Sequence, residues 1–182
     1  MKTYTIIGGV NGAGKSSLSG VLKNRMRDLG VIVDVDKLTL GLKQGALEGG
    51  KAAVALLNDC LEKGVNFTQE TTLSGKRTER AAKAAREQGY YVRLFYVGID
   101  TLEESLKRIA NRVEKGGHNI PRQDVVRRFG ERFEVLRRVL PYCDEAVLFD
   151  NENGFAPVAE YRNGEFVPLV EKRPAWLNEL LG

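Results

Sequence analysis

The chain has 182 residues, 42% of them hydrophobic and 29% charged, which suits one packed domain over residues 1–182 and excludes a disordered or fibrous protein. Its net charge of +4 is small and spread along the sequence, so nucleic acid is not expected as the main ligand. Cys60 and Cys143 stand far apart with no CxxC and no histidine partner, which excludes a zinc cluster or a disulfide framework.

The first apolar run, Thr3 to Gly8, reads as a strand and is too short for a signal peptide or a membrane span, so a cytoplasmic protein with no membrane partner is expected. It runs into Gly9-Val10-Asn11-Gly12-Ala13-Gly14-Lys15-Ser16, followed by Ser17 and a helical stretch, Lys15 to Leu29. Gly9, Gly14, Lys15 and Ser16 match G-x-x-x-x-G-K-[ST] between a strand and a helix, the context of a phosphate-binding loop. Such a loop needs glycines so that backbone N–H groups turn inward onto phosphate oxygens, and the helix N-terminus adds a favourable dipole. Gly9, Asn11, Gly12, Ala13, Gly14, Lys15, Ser16 and Ser17 are therefore the expected ATP-binding residues. Lys15 would span the β- and γ-phosphates and Ser16 would ligate Mg2+. No Asn-Lys-x-Asp guanine-reading motif occurs, which favours ATP over GTP.

Next come a strand from Val31 to Val35, a helix from Leu47 to Lys63, a strand from Val65 to Gln69 and a helix from Lys76 to Gln88. Asp36 ends the second strand at the edge where open α/β sheets bind ligands. It can accept the proton of an incoming hydroxyl or cap the following helix; Asp34, inside the strand, is read as structural. Glu70 lies at the same edge, as a holder of magnesium-bound water or of a substrate hydroxyl, or in a capping network with Ser74 as the cap. Gly30, Gly64 and Gly89 each stand just past a helical run, as left-handed caps do.

A strand from Tyr91 to Gly98 leads to two basic helices, Leu102 to Glu114 and Gln123 to Leu140, separated by Gly116-Gly117-His118-Asn119-Ile120-Pro121. The glycine pair predicts a flexible hairpin and the whole a lid over about 108–140. At about 100° per residue the apolar face of the second helix is Val125, Phe129, Phe133, Leu136 and Leu140. Arg128 flanks that face and Arg127 points away, so Arg128, with Arg112 from the preceding helix, is the candidate for reaching the migrating phosphoryl group. His118, the one histidine, is a candidate phosphate or substrate contact. The last sheet strand is Glu145 to Asp150; Ala156 to Arg162 and Glu165 to Val170 flank the turn pair Asn163-Gly164 as a small antiparallel flap. A helix over Ala175 to Leu181 then lays Trp176 and Leu180 on the body. Strands alternating with helices predict an α/β fold: a P-loop three-layer α/β/α arrangement around a mostly parallel five-stranded sheet.

The combination resembles a family, the zeta-toxin-like P-loop kinases, and within it small bacterial proteins often labelled predicted ABC-type ATPases. The resemblance is carried by Gly12 to Ser16, Val33-Asp34-Val35-Asp36, Glu70-Thr71-Thr72-Leu73-Ser74-Gly75, Arg112 to Pro121, Arg127-Arg128-Phe129 and Phe149-Asp150-Asn151. It implies Asp36 as the catalytic aspartate, Glu70 and Thr72 as substrate contacts, and Arg112 with Arg127 or Arg128 as lid arginines. In zeta toxins proper the acceptor is an amino-sugar nucleotide phosphorylated on a sugar hydroxyl. The chain departs from them in having Glu-Thr-Thr for Glu-Gly-Thr and a glycine-glycine-histidine lid. An ABC ATPase is excluded, because Leu73-Ser74-Gly75 continues as Lys76-Arg77 and no apolar run ends in an Asp-Glu pair. The expected activity is an ATP- and Mg2+-dependent kinase acting on a hydroxyl of a small metabolite. A non-transferring ATPase or nucleotide-gated protein with a cognate antitoxin partner, and a polynucleotide or nucleoside kinase, stay open beside it.

Overall fold

The computed structural model describes residues 1–34, 38, 46–117, 119–152 and 154–182. At its centre lies β1 (Thr3–Gly8), buried over its whole length, whose side chains alternate between the two faces as the two-residue strand period requires. Tyr4 and Ile6 enter one core, and Ile7 enters a second core on the opposite face. The other strands are β2 (Val31–Asp34), β3 (Phe67–Thr71), β4 (Tyr91–Gly98), β5 (Glu145–Asp150), β6 (Ala156–Arg162) and β7 (Glu165–Pro168). Among the described residues they form one sheet in the order β2-β3-β1-β4-β5-β6-β7, parallel from β2 to β5 and antiparallel beyond.

Helices α1 (Lys15–Arg25), α2 (Ala46–Lys63), α3 (Arg77–Glu87), α4 (Leu102–Glu114), α5 (Arg122–Val139) and α6 (Ala175–Leu181) complete the structure, with a 3-10 turn at Leu140–Tyr142. Leu18 and Leu22 of α1 pack with Ile7, Phe95 and Val97 on one face. Side chains of α2, α3, α5 and α6 join Tyr4, Ile6 and Leu94 on the other. The arrangement is the expected three-layer α/β/α fold. The sheet is wider than five strands because the C-terminal hairpin, expected as a separate flap, pairs with the outer edge of β5 from Ala146↔Tyr161 to Asp150↔Ala156. A bulge at Leu148/Phe149 brings Pro157 opposite Phe149, a place where a residue without an N–H costs the ladder nothing further. Asn163 and Gly164 turn the hairpin with φ of 53° and 87°, as a two-residue turn of this type demands.

Several element ends differ from the sequence pattern: β3 runs on to Thr71 rather than Gln69, and β7 stops at Pro168 rather than Val170. Helix α1 stops at Arg25, with Met26 already extended, rather than at Leu29. Strand β3 begins at Phe67, since Val65 belongs to the stop of α2: its N–H donates to Cys60 O and its carbonyl accepts from the Tyr90 hydroxyl.

Parallel pairing on both sides of β1 makes its carboxyl end the point where the chain order reverses, the position at which open α/β sheets bind ligands. The register Ile7↔Glu70 and Asp34↔Glu70 puts the end of β1, Asp34 and Glu70 on that one edge. Helix α6 seals the neighbouring ends of β4 and β5. The Trp176 N–H donates to Asp100 Oδ1 at 2.9 Å, and its indole Nε1 donates to Asp150 Oδ1 at 2.8 Å. A β-carbon on Gly98 would stand 2.1 Å from Trp176 Cε2, so glycine there lets the indole lie on the strand. Trp176→Ala is expected to destabilise the protein by about 3–5 kcal/mol, through the cavity left and Asp150 Oδ1 stripped of its indole donor. Urea unfolding measures this, and a loss under about 1 kcal/mol would show that α6 adds little to the core.

Candidate functional site

The loop after β1 is shaped by close approaches that exclude larger residues. Gly14 precedes α1 with φ of 102°, and a β-carbon there would lie 2.3 Å from Asn151 Nδ2. Gly12, at φ 78°, faces Ser105 O, 2.8 Å from where a β-carbon would stand. These contacts come from the elements that hold the loop. Asn151, just past β5, donates from Nδ2 to Ala13 O at 2.9 Å, and the Ser105 hydroxyl of α4 donates to Asn11 O at 2.7 Å. Arg108 reaches Gly12 O at 3.4 Å, and the Arg128 guanidinium of α5 donates to Asn11 Oδ1 at 3.2 Å. Within the loop, Lys15 Nζ donates to Val10 O at 3.0 Å.

Beside the loop, the Ser16 hydroxyl donates to Glu70 Oε2 at 2.8 Å. Glu70 is 5% exposed, and its Oε1 is buried with no hydrogen-bond donor among the described residues. A carboxylate oxygen in that state is costly unless something positive or protic meets it. Hard oxygens from a hydroxyl and a carboxylate are the donor set that magnesium prefers, so these residues fit the ion that the loop implies. The capping role weighed for Glu70 and Ser74 is not what forms: α3 has Lys76 at its N-cap with no side-chain cap, and Ser74 pairs with Thr72 across 3.2 Å.

One cavity of about 940 Å³ joins these groups. Asn11, Gly12, Gly14, Lys15, Ser16 and Ser17 line one end, and Arg108, Arg112 and Arg128 border it from the two basic helices. Asp34, Gln69, Glu70, Thr72 and Ser74 line it beside the loop, as do Lys76, Arg77 and Arg80 at the start of α3. Asp34, read as structural from its place inside a strand, is thus on the cavity wall. Gln69 is oriented from behind by the buried Tyr4 hydroxyl, which burial keeps protonated by pushing its pKa far above the usual range. Asp36 and His118 lie outside the described residues.

The two basic helices expected as a lid pack on each other through Ile109, Ile120 and Val125. The glycine pair expected as a flexible hairpin forms a defined helix stop: Gly116 N donates to Val113 O and Gly117 N to Arg112 O, both at 2.9 Å, with Gly116 at φ 82°. A β-carbon on Gly117 would come within 2.8 Å of Arg112 O, so the turn is pressed against a cavity-lining arginine. Arg127 faces away, in ion pairs with Asp124 and Glu131. Arg132 is buried between Phe129 and Phe133, its guanidinium 3.9 and 4.2 Å from the ring centroids, and paired with Glu179 of α6. The basic density of α5 thus divides into the cavity-facing Arg128, Arg132 and Arg137 bracing α6 through Glu179 and Leu180 O, Arg138 tied to Gly75 O and Glu79, and the solvated pairs of Arg127.

A glycine-rich loop between a central parallel strand and a helix, with arginine-bearing helices beside it, defines a P-loop kinase fold. Comparison with known proteins agrees: the chain has a TM-score of 0.68 with a structure from the PezAT chromosomal toxin-antitoxin system of Streptococcus pneumoniae, at 19% identity over 88% of this chain and 72% of that one. It has a TM-score of 0.72 with AvrRxo1-ORF1:-ORF2 crystallised with ATP, at 20% identity, and spans 63% of that longer chain. A sequence relative in Haemophilus influenzae, an uncharacterised protein, is 32% identical over 124 residues, 65% of this chain and 86% of the relative. The zeta toxin family model matches residues 47–154, more than half of the chain, and the chain belongs to the zeta toxin family. The matched span holds Glu70, Thr72, Arg112, Arg128 and Asn151, while the phosphate loop precedes it and rests on its own motif. Among the described residues no helix is long and apolar enough to cross a membrane.

Proposed function

We propose that the protein is a kinase that transfers the γ-phosphate of ATP, in the presence of Mg2+, to a hydroxyl of a small metabolite. The observation that carries this reading is the single cavity that runs from the phosphate loop and the three arginines to Asp34, Glu70 and Thr72. A nucleotide-hydrolysing switch needs the loop and arginine part of that cavity; the further wall of carboxylates and hydroxyls gives an acceptor somewhere to sit. Lys76, Arg77 and Arg80, which also line the cavity, suit an acceptor with negative charge, so a nucleotide sugar is the first compound to try.

In this reading Gly9 to Ser17 wrap the triphosphate, and Lys15 turns from Val10 O to phosphate oxygens. Asp36 takes the acceptor proton, Glu70, Thr72 and His118 contact the acceptor, and Arg112 and Arg128 face the charge that develops on the phosphoryl group. Ser16 would hold magnesium with Glu70 beside it, and the ion would neutralise part of the triphosphate charge. A cognate antitoxin protein is the partner that family membership suggests, as in the toxin-antitoxin system of the pneumococcal neighbour.

Incubation with γ-labelled ATP and pools of nucleotide sugars, other metabolites and oligonucleotides tests the reading. Label is expected in a metabolite with magnesium, and in nothing when magnesium is chelated or in Lys15→Ala. Label that leaves ATP only as free phosphate would replace the kinase with an ATPase, and label on oligonucleotide ends would move the acceptor class.

A further inference from the structure

We propose that Asn11 is a positioning residue that sets the Arg128 guanidinium over the phosphate loop; this rests on the kinase reading above. A phosphate loop wraps its ligand with backbone N–H groups and needs no side chain at this position. Yet Asn11 is 2% exposed and held at two points. Its carbonyl is fixed by the hydroxyl of Ser105, a wholly buried residue of α4. Its carboxamide oxygen is the acceptor for Arg128 Nη1, 117 positions away in sequence.

The chemistry of that acceptor matters. Arg127, Arg132 and Arg138 on the same helix each pair with a carboxylate, which neutralises them. Among the described residues Arg128 has no carboxylate partner within ion-pair distance, and its buried Nε has no acceptor. A neutral amide orients the guanidinium and leaves its full charge for an anion, whereas a carboxylate would compete with the phosphoryl group for it. Asn11 therefore ties two lid helices to the loop at the place where the arginine is needed, one through its backbone and the other through its side chain.

The test uses the full chain with magnesium and two probes, ADP alone and ADP with aluminium fluoride, a mimic of the phosphoryl group in flight. Wild type is expected to hold the fluoroaluminate complex more tightly than ADP. Asn11→Ala is expected to lower that preference about tenfold or more, with any weakening of ADP, which the loop holds through its backbone, several-fold smaller than that of the fluoroaluminate complex. The isosteric Asn11→Asp is expected to lower it as well, by taking up the Arg128 charge. Arg128→Ala is expected to lose the preference, and the double variant with Asn11→Ala to lose no more. The assignment is overturned if either Asn11 variant keeps the wild-type preference, if ADP and the fluoroaluminate complex weaken by the same factor, or if the Asn11 and Arg128 losses add. A wild-type protein that holds both probes alike removes the kinase reading itself, and this assignment with it.

Discussion

Asp36→Asn is expected to leave ATP affinity close to wild type and to lower phosphoryl transfer by about 10²–10⁴. The expectation rests on what an acceptor hydroxyl needs: a carboxylate within reach of its proton, on the acceptor side of the cavity and away from the triphosphate. Three carboxylates compete for that work. Glu70 already accepts from the Ser16 hydroxyl and sits where the metal would be, so its charge is better used on the ion. Asp34 lines the cavity in register with Glu70, one strand further out. Asp36 follows it by two residues in sequence and is the carboxylate that the sequence pattern and the family resemblance put forward for this work. Comparing kcat and ATP affinity for Asp34→Asn and Asp36→Asn separates them. A larger loss of kcat in Asp34→Asn would move the proton acceptor to Asp34, and normal turnover in both would remove a carboxylate base from this strand.

The parts of the fold that were legible are those set by local chemistry. Thr3–Gly8, Tyr91–Gly98 and Glu145–Asp150 form strands with the bounds that their apolar runs predict, and Asn163-Gly164 turns the hairpin as that pair must. What periodicity could not carry is where a free edge finds its partner, which is why the hairpin reads as a flap and forms the outer strands of the sheet. Charged residues inside the packing were invisible for a related reason. Arg93 is buried in β4 because Thr5 and Asp28, both remote in sequence, take up its guanidinium; the Arg93 contact in turn lowers the Asp28 pKa. Arg132 lies seven positions after Val125, on the apolar face by phase alone, and its charge argued against that place. Two aromatic rings and Glu179 answer the objection. At the candidate site, the loop motif named its own residues, but Ser105 has no local signature, and Asn151 stands out only within the Phe149-Asp150-Asn151 segment with no role attached to it. Their value comes from reaching the backbone of the loop from elements more than ninety residues further along the chain.

Arg128→Ala is expected to lower turnover by about 10³-fold or more, while ATP affinity falls far less, and Arg127→Ala is expected to leave both close to wild type. The two residues are adjacent, so the contrast isolates direction from composition. Arg127 is half exposed and shared between Asp124 and Glu131, a solvated arrangement of the kind that contributes little. Arg128 turns inward to the loop and to the cavity. A guanidinium there gains most when negative charge moves onto the transferring oxygens, and stabilisation that grows along the reaction appears in kcat rather than in ground-state binding. Arg112, on α4 and also on the cavity wall, is expected to follow Arg128 in this respect. Steady-state kinetics with ATP and the acceptor found by label transfer, set beside calorimetric ATP affinity, give the needed split. If Arg128→Ala weakens ATP binding as much as it lowers turnover, the arginine serves the ground state. If Arg127→Ala is the variant that fails, the helix acts in a rotated position during turnover. If Arg112→Ala, Arg127→Ala and Arg128→Ala all turn over normally, the arginines are a charged surface beside the cavity and the lid mechanism is wrong.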